Sequence, residues 1–100
     1  MEKLKEFLKA SPEDSFLQHA LALEYSKLGD DETARSLFES ILTREPSYIG
    51  TYYHLAKLLE RVGNTDAAIS WYEKGMEAAK AADDKHAYGE LRSALEELTF

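Results

Sequence analysis

Three histidines, His19, His54 and His86, are the side chains best suited to chemistry, and they are the only histidines of the chain. Neutral imidazoles are good ligands for zinc or nickel, and three of them with one water would form an open tetrahedral site. Imidazoles with an ordinary pKa are mostly neutral at pH 7 and become charged in mild acid, where the same rings could bind an anion. The ordinary alternative is three unrelated surface histidines. The outcome depends on whether the fold brings the rings together.

Other reactive groups are scarce. The chain has no cysteine, which excludes disulfides, thiolate metal sites and a cysteine nucleophile. No nucleophile motif surrounds any serine, and the chain has neither a phosphate-binding loop nor a His-Glu-x-x-His zinc motif. The acidic runs at 30–32 and 83–84 are explained better as helix N-caps than as metal sites. We therefore expect no enzymatic activity and no cofactor.

The charge balance excludes further classes of partner. Against 12 basic side chains the chain carries 19 acidic ones, which gives a net charge of -7. Nucleic-acid binding usually needs a basic patch that releases counterions from phosphates, and neither half of the chain supplies one. No apolar run reaches the roughly 18 residues of a membrane span, and the N-terminus lacks the apolar core of a secretory signal. We expect neither nucleic acid nor membrane as a partner, and a cytoplasmic location.

The elements that position these side chains repeat along the chain. Apolar, glycine and alanine positions match at an offset of 34 residues, as from Leu21 to Leu55, which is the signature of a helical repeat. The matching pairs are Leu21 and Leu55, Ala22 and Ala56, Leu28 and Val62, Gly29 and Gly63, Ala34 and Ala68, Phe38 and Tyr72, Leu42 and Met76, and Pro12 and Pro46. Matches of this number and character are hard to obtain by chance.

Each repeating unit is predicted to contain two helices. Apolar residues recur at helical spacing in each half-unit, and Gly29 and Gly63 end the first helices as left-handed caps. In repeat one the predicted helices run over 14–28 and from a cap at Asp30 or Asp31 to before Pro46. In repeat two they run over 48–62 and from a cap at Thr65 to about Ala82. Aromatic residues at helical spacing should fill the core; they are Tyr25, Phe38, Tyr52, Trp71 and Tyr72.

Half-units flank the two full units. The chain before Pro12 repeats the apolar spacing that precedes Pro46, with Leu4, Phe7 and Leu8 at the positions of Phe38, Ile41 and Leu42. This spacing predicts a helix over 2–10 that corresponds to the second helix of a unit. If two residues are inserted near Ala82 relative to the repeat, an apolar stripe matches the first helix of a unit. The stripe is Ala87, Leu91, Leu95 and Leu98, and Asp83 or Asp84 would cap the helix. The sequence therefore predicts an all-α fold of about six helices. It forms one domain, an α-solenoid fragment, with a half-repeat at 1–12, repeat one at 15–48, repeat two at 49–82 and a capping helix at 83–100.

The repeated motif resembles that of the tetratricopeptide repeat family. The resemblance is carried by Leu21 and Leu55, Ala22 and Ala56, Gly29 and Gly63, Ala34 and Ala68, and Phe38 and Tyr72. Departures include Gln18 at an aromatic position, Gly75 at an alanine position and Lys80 at the proline position. The resemblance implies stacked antiparallel helix pairs whose first helices line a concave groove. Arg92 stands where Ala22 and Ala56 stand, so the last helix is expected to be a solvated cap.

In that family, ligands contact defined positions of the first helices. The resemblance therefore implies a partner-binding groove that contains Phe16, His19, Leu23, Lys27, Tyr53, His54, Lys57, Arg61, His86 and Glu90. The lysines and asparagines with which some members clamp the C-terminus of a chaperone are absent, and Glu90 would repel a terminal carboxylate.

The expected function is a protein-protein interaction module that binds a peptide or helix of a partner in the groove. One alternative is a self-associating structural protein, a homodimer through its groove or one end. The other is a metal- or anion-binding module that uses His19, His54 and His86, since all three map to positions that converge on one carboxylate in clamp-bearing members.

Overall fold

The computed structural model describes residues 2–10 and 14–99 of the chain, except for the side chain of Leu8. Pro12, which the sequence pairs with Pro46, lies outside this part. Six helices make up the described residues: α1 Glu2–Ala10, α2 Ser15–Lys27, α3 Asp31–Arg44, α4 Gly50–Arg61, α5 Thr65–Ala81 and α6 Lys85–Thr99. The predicted all-α fold is confirmed. None of the described helices is both long and apolar enough to cross a membrane.

Three of the turns between helices share one geometry. Gly29 and Gly63 have a φ of 85°, and Asp83 takes the corresponding left-handed position with a φ of 55°. The next residue in each turn is an N-cap, since the side chains of Asp30, Asn64 and Asp84 accept a hydrogen bond from the backbone N–H three residues later. The prediction that Thr65 caps α5 is wrong: Asn64, one residue earlier, performs this role.

The turn between α3 and α4 is different. The first helix of repeat two was predicted from Tyr48, but α4 begins at Gly50, and its N-cap residue Ile49 makes no side-chain capping hydrogen bond. Tyr48 lies in the turn after Pro46 instead. At this start the backbone N–H groups of Thr51 and Tyr52 donate to the carbonyl oxygens three residues earlier, those of Tyr48 and Ile49.

Small residues occupy the centre of the stack. Ala22, Ala34, Ala56 and Ala68 have no exposed surface, as expected where paired helices approach closely. Three of the five predicted core aromatics, Phe38, Tyr52 and Tyr72, are buried. Tyr25 and Trp71 are partly buried and pack against this core.

Gln18, a departure from the family motif, belongs to a polar network between α2 and α3. Arg44 donates hydrogen bonds to Ser15 Oγ at 2.9 Å and to Gln18 Oε1 at 2.8 Å, and Ser15 donates to Glu45 at 2.8 Å. In repeat two the position of Gln18 is taken by Tyr52. The two units therefore fix the same helix crossing by different chemistry.

Tyr52 makes its own link to the preceding turn. Its hydroxyl donates to the carbonyl oxygen of Pro46 at 2.6 Å. A tyrosine here satisfies its polar tip on a backbone carbonyl while its ring remains buried. The start of α4 is thus anchored to the end of α3.

Gly75 lies where α5 touches its neighbours most closely. A Cβ atom built on Gly75 would lie 2.7 Å from Tyr52 Cβ and 3.0 Å from Leu91 Cδ1. The predicted need for a small residue at this helix contact is confirmed. Gly50 and Gly89 are different, because a Cβ built on either meets nothing within 4 Å, and no contact in the structure requires glycine there.

We predict opposite effects from two alanine substitutions within helices. Gly75→Ala gains helix propensity but forces α4 and α5 apart, for a net loss of about 1–2 kcal/mol. Gly89→Ala gains the propensity without a clash, so it should stabilise by about 0.5–1 kcal/mol. Thermal melts of both variants measure this, and a Gly75→Ala protein that melts above the wild type would contradict the close contact.

Candidate functional site

The first helices α2, α4 and α6 lie side by side and form the candidate groove. Across α2 and α4, the ring centroids of His19 and His54 are 5.1 Å apart, and Arg61 donates to Ser26 Oγ at 3.1 Å. Between α4 and α6 lies a hollow of about 560 Å³, with Tyr53 on one side and Glu90 on the other. The predicted site residues are therefore distributed over two neighbouring sections of one surface.

His19 and His54 form the floor of the first section. The ring of His19 also lies 5.4 Å from Phe38 and 6.0 Å from Tyr48, and its Nδ1 is 2.9 Å from the hydroxyl of buried Thr51. Burial, and secondarily the neighbouring His54, lowers the pKa of His19 to about 4. Desolvation also lowers the pKa of His54. At neutral pH this floor is therefore aromatic and uncharged.

His86 lies apart from this pair. Its side chain is 87% exposed, and its Nε2 is 3.2 Å from Glu90 Oε1 on the same helix. It lines the hollow between α4 and α6 with Tyr53 and Lys57. Within the described residues, no group of three or more His, Cys, Asp or Glu side chains is arranged to hold a metal ion.

The three-histidine site is therefore wrong for metals. His19 and His54 pack against Phe38, whereas His86 extends from α6 and pairs with Glu90. Burial lowers the pKa of both His19 and His54, which disfavours the anion site expected near pH 5.5.

Tyr53, Lys57 and Glu60 link the groove to the core. Lys57 Nζ lies 5.7 Å from the centre of the Tyr53 ring and 3.6 Å from Glu60 Oε2. The hydroxyl of buried Tyr72 donates a hydrogen bond to the same Glu60 carboxylate. Burial, followed by this hydrogen bond, raises the pKa of Tyr72. The hydroxyl that distinguishes Tyr72 from Phe38 needs such a partner, because buried hydroxyls are hydrogen-bonded.

The remaining predicted residues lie at the N-terminal side of the groove. Phe16 is 70% exposed in the first turn of α2. Leu23, Lys27 and Arg61 line a second hollow of about 460 Å³. Arg61 also donates to the carboxylate of Asp31, so its guanidinium ties α4 to the start of α3.

Comparison with known proteins places both repeats in one family. The tetratricopeptide repeat model matches residues 17–48 and 49–81. A tetratricopeptide repeat domain protein from Salinibacter ruber, known from a solution structure, is 41% identical, with a TM-score of 0.83 over 87% of this chain and 88% of that chain. No curated protein sequence matches the chain.

Two solved structures that are similar in fold contain a bound partner segment. The TPR2B domain of yeast Sti1, in a complex with pHsp70, is 15% identical with a TM-score of 0.89, over 98% of this chain and 78% of that chain. PcrH, in complex with the chaperone-binding region of PopD, is 18% identical with a TM-score of 0.86, over 96% of this chain and 73% of that chain. At these identities the similarity shows the fold alone.

The lowered pKa of His19 predicts a loss of stability in mild acid. Above an unfolded-state pKa of about 6.5 both states are neutral, so His19 adds no pH dependence. Between that value and a folded-state pKa of about 4, the unfolded chain binds the proton first, so the free energy of unfolding falls as the pH falls.

Urea denaturation at about pH 7, 5.5 and 4.5 measures this contribution. His19→Gln should show a smaller decrease than the wild type. A histidine NMR titration in which the His19 ring protonates near pH 6.5 would contradict its burial.

Proposed function

Because this chain belongs to the tetratricopeptide repeat family, we propose that it is a protein-interaction module that binds a peptide or short helix in the groove of α2, α4 and α6. The observation that carries the proposal is the pairing of His19 and His54, which gives the groove an uncharged aromatic floor between two hollows. A floor of this kind favours an apolar side chain of a bound segment, with polar groups on either side to fix its register. Two proteins of the same fold hold partner segments, which supports this function.

The two sections of the groove favour different parts of a ligand. Over His19 and His54 the surface offers aromatic contact without charge at neutral pH. Over the hollow between α4 and α6, Lys57 stands opposite Glu90 and Glu97. A segment with an apolar anchor, followed by residues of both charges, fits this order. The net charge of -7 supports a protein partner over nucleic acid.

A peptide-library selection on the immobilised chain provides ligands for the test. We predict that selected peptides bind Lys57→Glu and His54→Glu at least about tenfold more weakly, because each change places a carboxylate on the groove surface. Glu73→Lys is the matched control, since Glu73 is an exposed charge of α5 outside both hollows, and it should bind as the wild type does. Thermal melts exclude unfolding as the cause, and selected peptides that bind all three variants equally would contradict the groove.

The chain should not recognise the C-terminal carboxylate of a chaperone. His19, Leu23, His54, His86 and Glu90 occupy the places of the clamp residues. His19 is neutral at pH 7, and Glu90 repels a carboxylate, so no cationic clamp exists there. Titration with a peptide that ends in Glu-Glu-Val-Asp should give a dissociation constant no tighter than about 1 mM. Micromolar binding at moderate salt would contradict this specificity.

A further inference from the structure

A third hollow lies outside the groove, between α5 and the turn that joins α3 to α4. Its volume is about 700 Å³, larger than either hollow of the groove, and it shares no lining residue with them. Pro46 and Tyr52 line it together with Trp71, the only tryptophan of the chain. The alanines at 78, 81 and 82 also line it and leave it open, because they extend no further than Cβ.

Repeat one fills the equivalent space with a side chain of its own. There Arg44, the counterpart of Ala78, extends from α3 and donates to Gln18 Oε1 of α2 at 2.8 Å. In repeat two the arginine is replaced by Ala78 and the acceptor Gln18 by Tyr52, and both replacements line the hollow. The second unit therefore leaves open a space that the first unit closes, and an aromatic ring replaces a polar amide beside it.

Trp71 offers this hollow an apolar ring and a donor. The ring is partly buried, and its centroid lies 6.0 Å from that of Tyr52. Its indole N–H has no acceptor within the described residues, where the only buried side-chain nitrogen or oxygen without a partner is Arg44 Nε. The indole N–H is therefore accessible, and a ligand that packs on the ring gains by bringing an acceptor to it.

The charges at the hollow do not favour a charged ligand. Lys74 and Glu77 are the two charged residues that line it; they are opposite in sign and both are exposed. Lys74 Nζ lies 4.4 Å from the centre of the Trp71 ring. The hollow is thus suited to an apolar, uncharged segment that has free acceptors in its backbone.

We propose that this hollow is a second binding surface, independent of the groove, which docks a proline-rich segment of a partner protein in the polyproline II conformation. The carbonyl groups of such a segment make no internal hydrogen bonds and can accept from Trp71, whereas most of those in a helix are already paired. Proline rings pack on the indole and the alanines, and they bring no backbone N–H that would need an acceptor. Their fixed φ also reduces the entropy lost on binding.

The single tryptophan makes the site directly observable. A peptide of about ten prolines is titrated against the full chain while the fluorescence of Trp71 and its indole N–H resonance in an NMR spectrum are followed. We expect a saturable change in both signals, with a dissociation constant tighter than about 1 mM. A glycine-serine peptide of the same length is the control ligand, and it should change neither signal.

Two arginine substitutions that close the hollow test the location. Ala78→Arg gives repeat two the side chain that closes repeat one, and Ala81→Arg places an arginine at an exposed position of the same hollow. Each should weaken the proline peptide about tenfold or more, and thermal melts identify a variant that fails to fold. Glu73→Arg is the matched control, since Glu73 is an exposed residue of α5 that does not line the hollow, and it should bind as the wild type does.

Several results would overturn the proposal. These are no saturable change at Trp71, an equal response to the glycine-serine peptide, or binding that folded Ala78→Arg and Ala81→Arg proteins retain in full. An indole resonance that shifts with the concentration of the chain alone, unless Ala81→Arg is present, would assign the hollow to a second copy instead. His54→Glu should leave the affinity for the proline peptide unchanged, so failure here is separable from failure of the groove; a loss in that variant would place the peptide in the groove.

Discussion

The contact between Gly75 and Tyr52 fixes the relation of the last three helices. Because α5 has no side chain at this point, its backbone lies against Tyr52 of α4 and Leu91 of α6 at the same place. Tyr52 is in turn tied to the carbonyl of Pro46, so the end of α3 shares the constraint. The contacts of Gly75 therefore set the distance between α4 and α6, and with it the width of the hollow between them. A single methyl group at Gly75 would alter the surface on which Lys57 and Glu90 lie.

The groove floor continues the core and has the properties that follow from this. Phe38 is fully buried, and both His19 and His54 lie against it. Contact with that ring removes water from the two imidazoles and lowers their pKa, so the fold itself keeps the floor neutral. Glu60 is a similar link, since it accepts a hydrogen bond from the hydroxyl of buried Tyr72 while it pairs with Lys57 at the surface. Aromatic residues of the second helices therefore contact the side chains of the groove from behind.

Periodicity and turn residues predicted the helices because these signals are local. Gly29 and Gly63 end helices through their own backbone conformation, and the prediction needed no tertiary information. The prediction of Thr65 as the cap of α5 failed because asparagine and threonine can both cap a helix. Which of the two adjacent residues does so depends on the residue at which the helix begins. The predicted convergence of His86 with His19 and His54 failed for a different reason: the distance between them depends on how α6 packs on α5, which no local pattern encodes. The network of Arg44 with Ser15 and Gln18 joins residues 26 to 29 positions apart, and sequence alone gave no reason to pair them.

The two repeats share the motif that sets the backbone and differ where side chains meet solvent or each other. Ala22 and Ala34 recur as Ala56 and Ala68, all with no exposed surface, because the helix crossing admits nothing larger. No such limit applies at the position shared by Gln18 and Tyr52, or at that shared by Arg44 and Ala78. Repeat one uses hydrogen bonds between Arg44 and Gln18 there, and repeat two uses the aromatic ring of Tyr52. The groove positions are of this second kind, since Leu23 corresponds to Lys57 and Ala20 to His54. A backbone that two alanine pairs and one glycine hold in place leaves these positions free to vary, so the chemistry of recognition can change from unit to unit without cost to the fold.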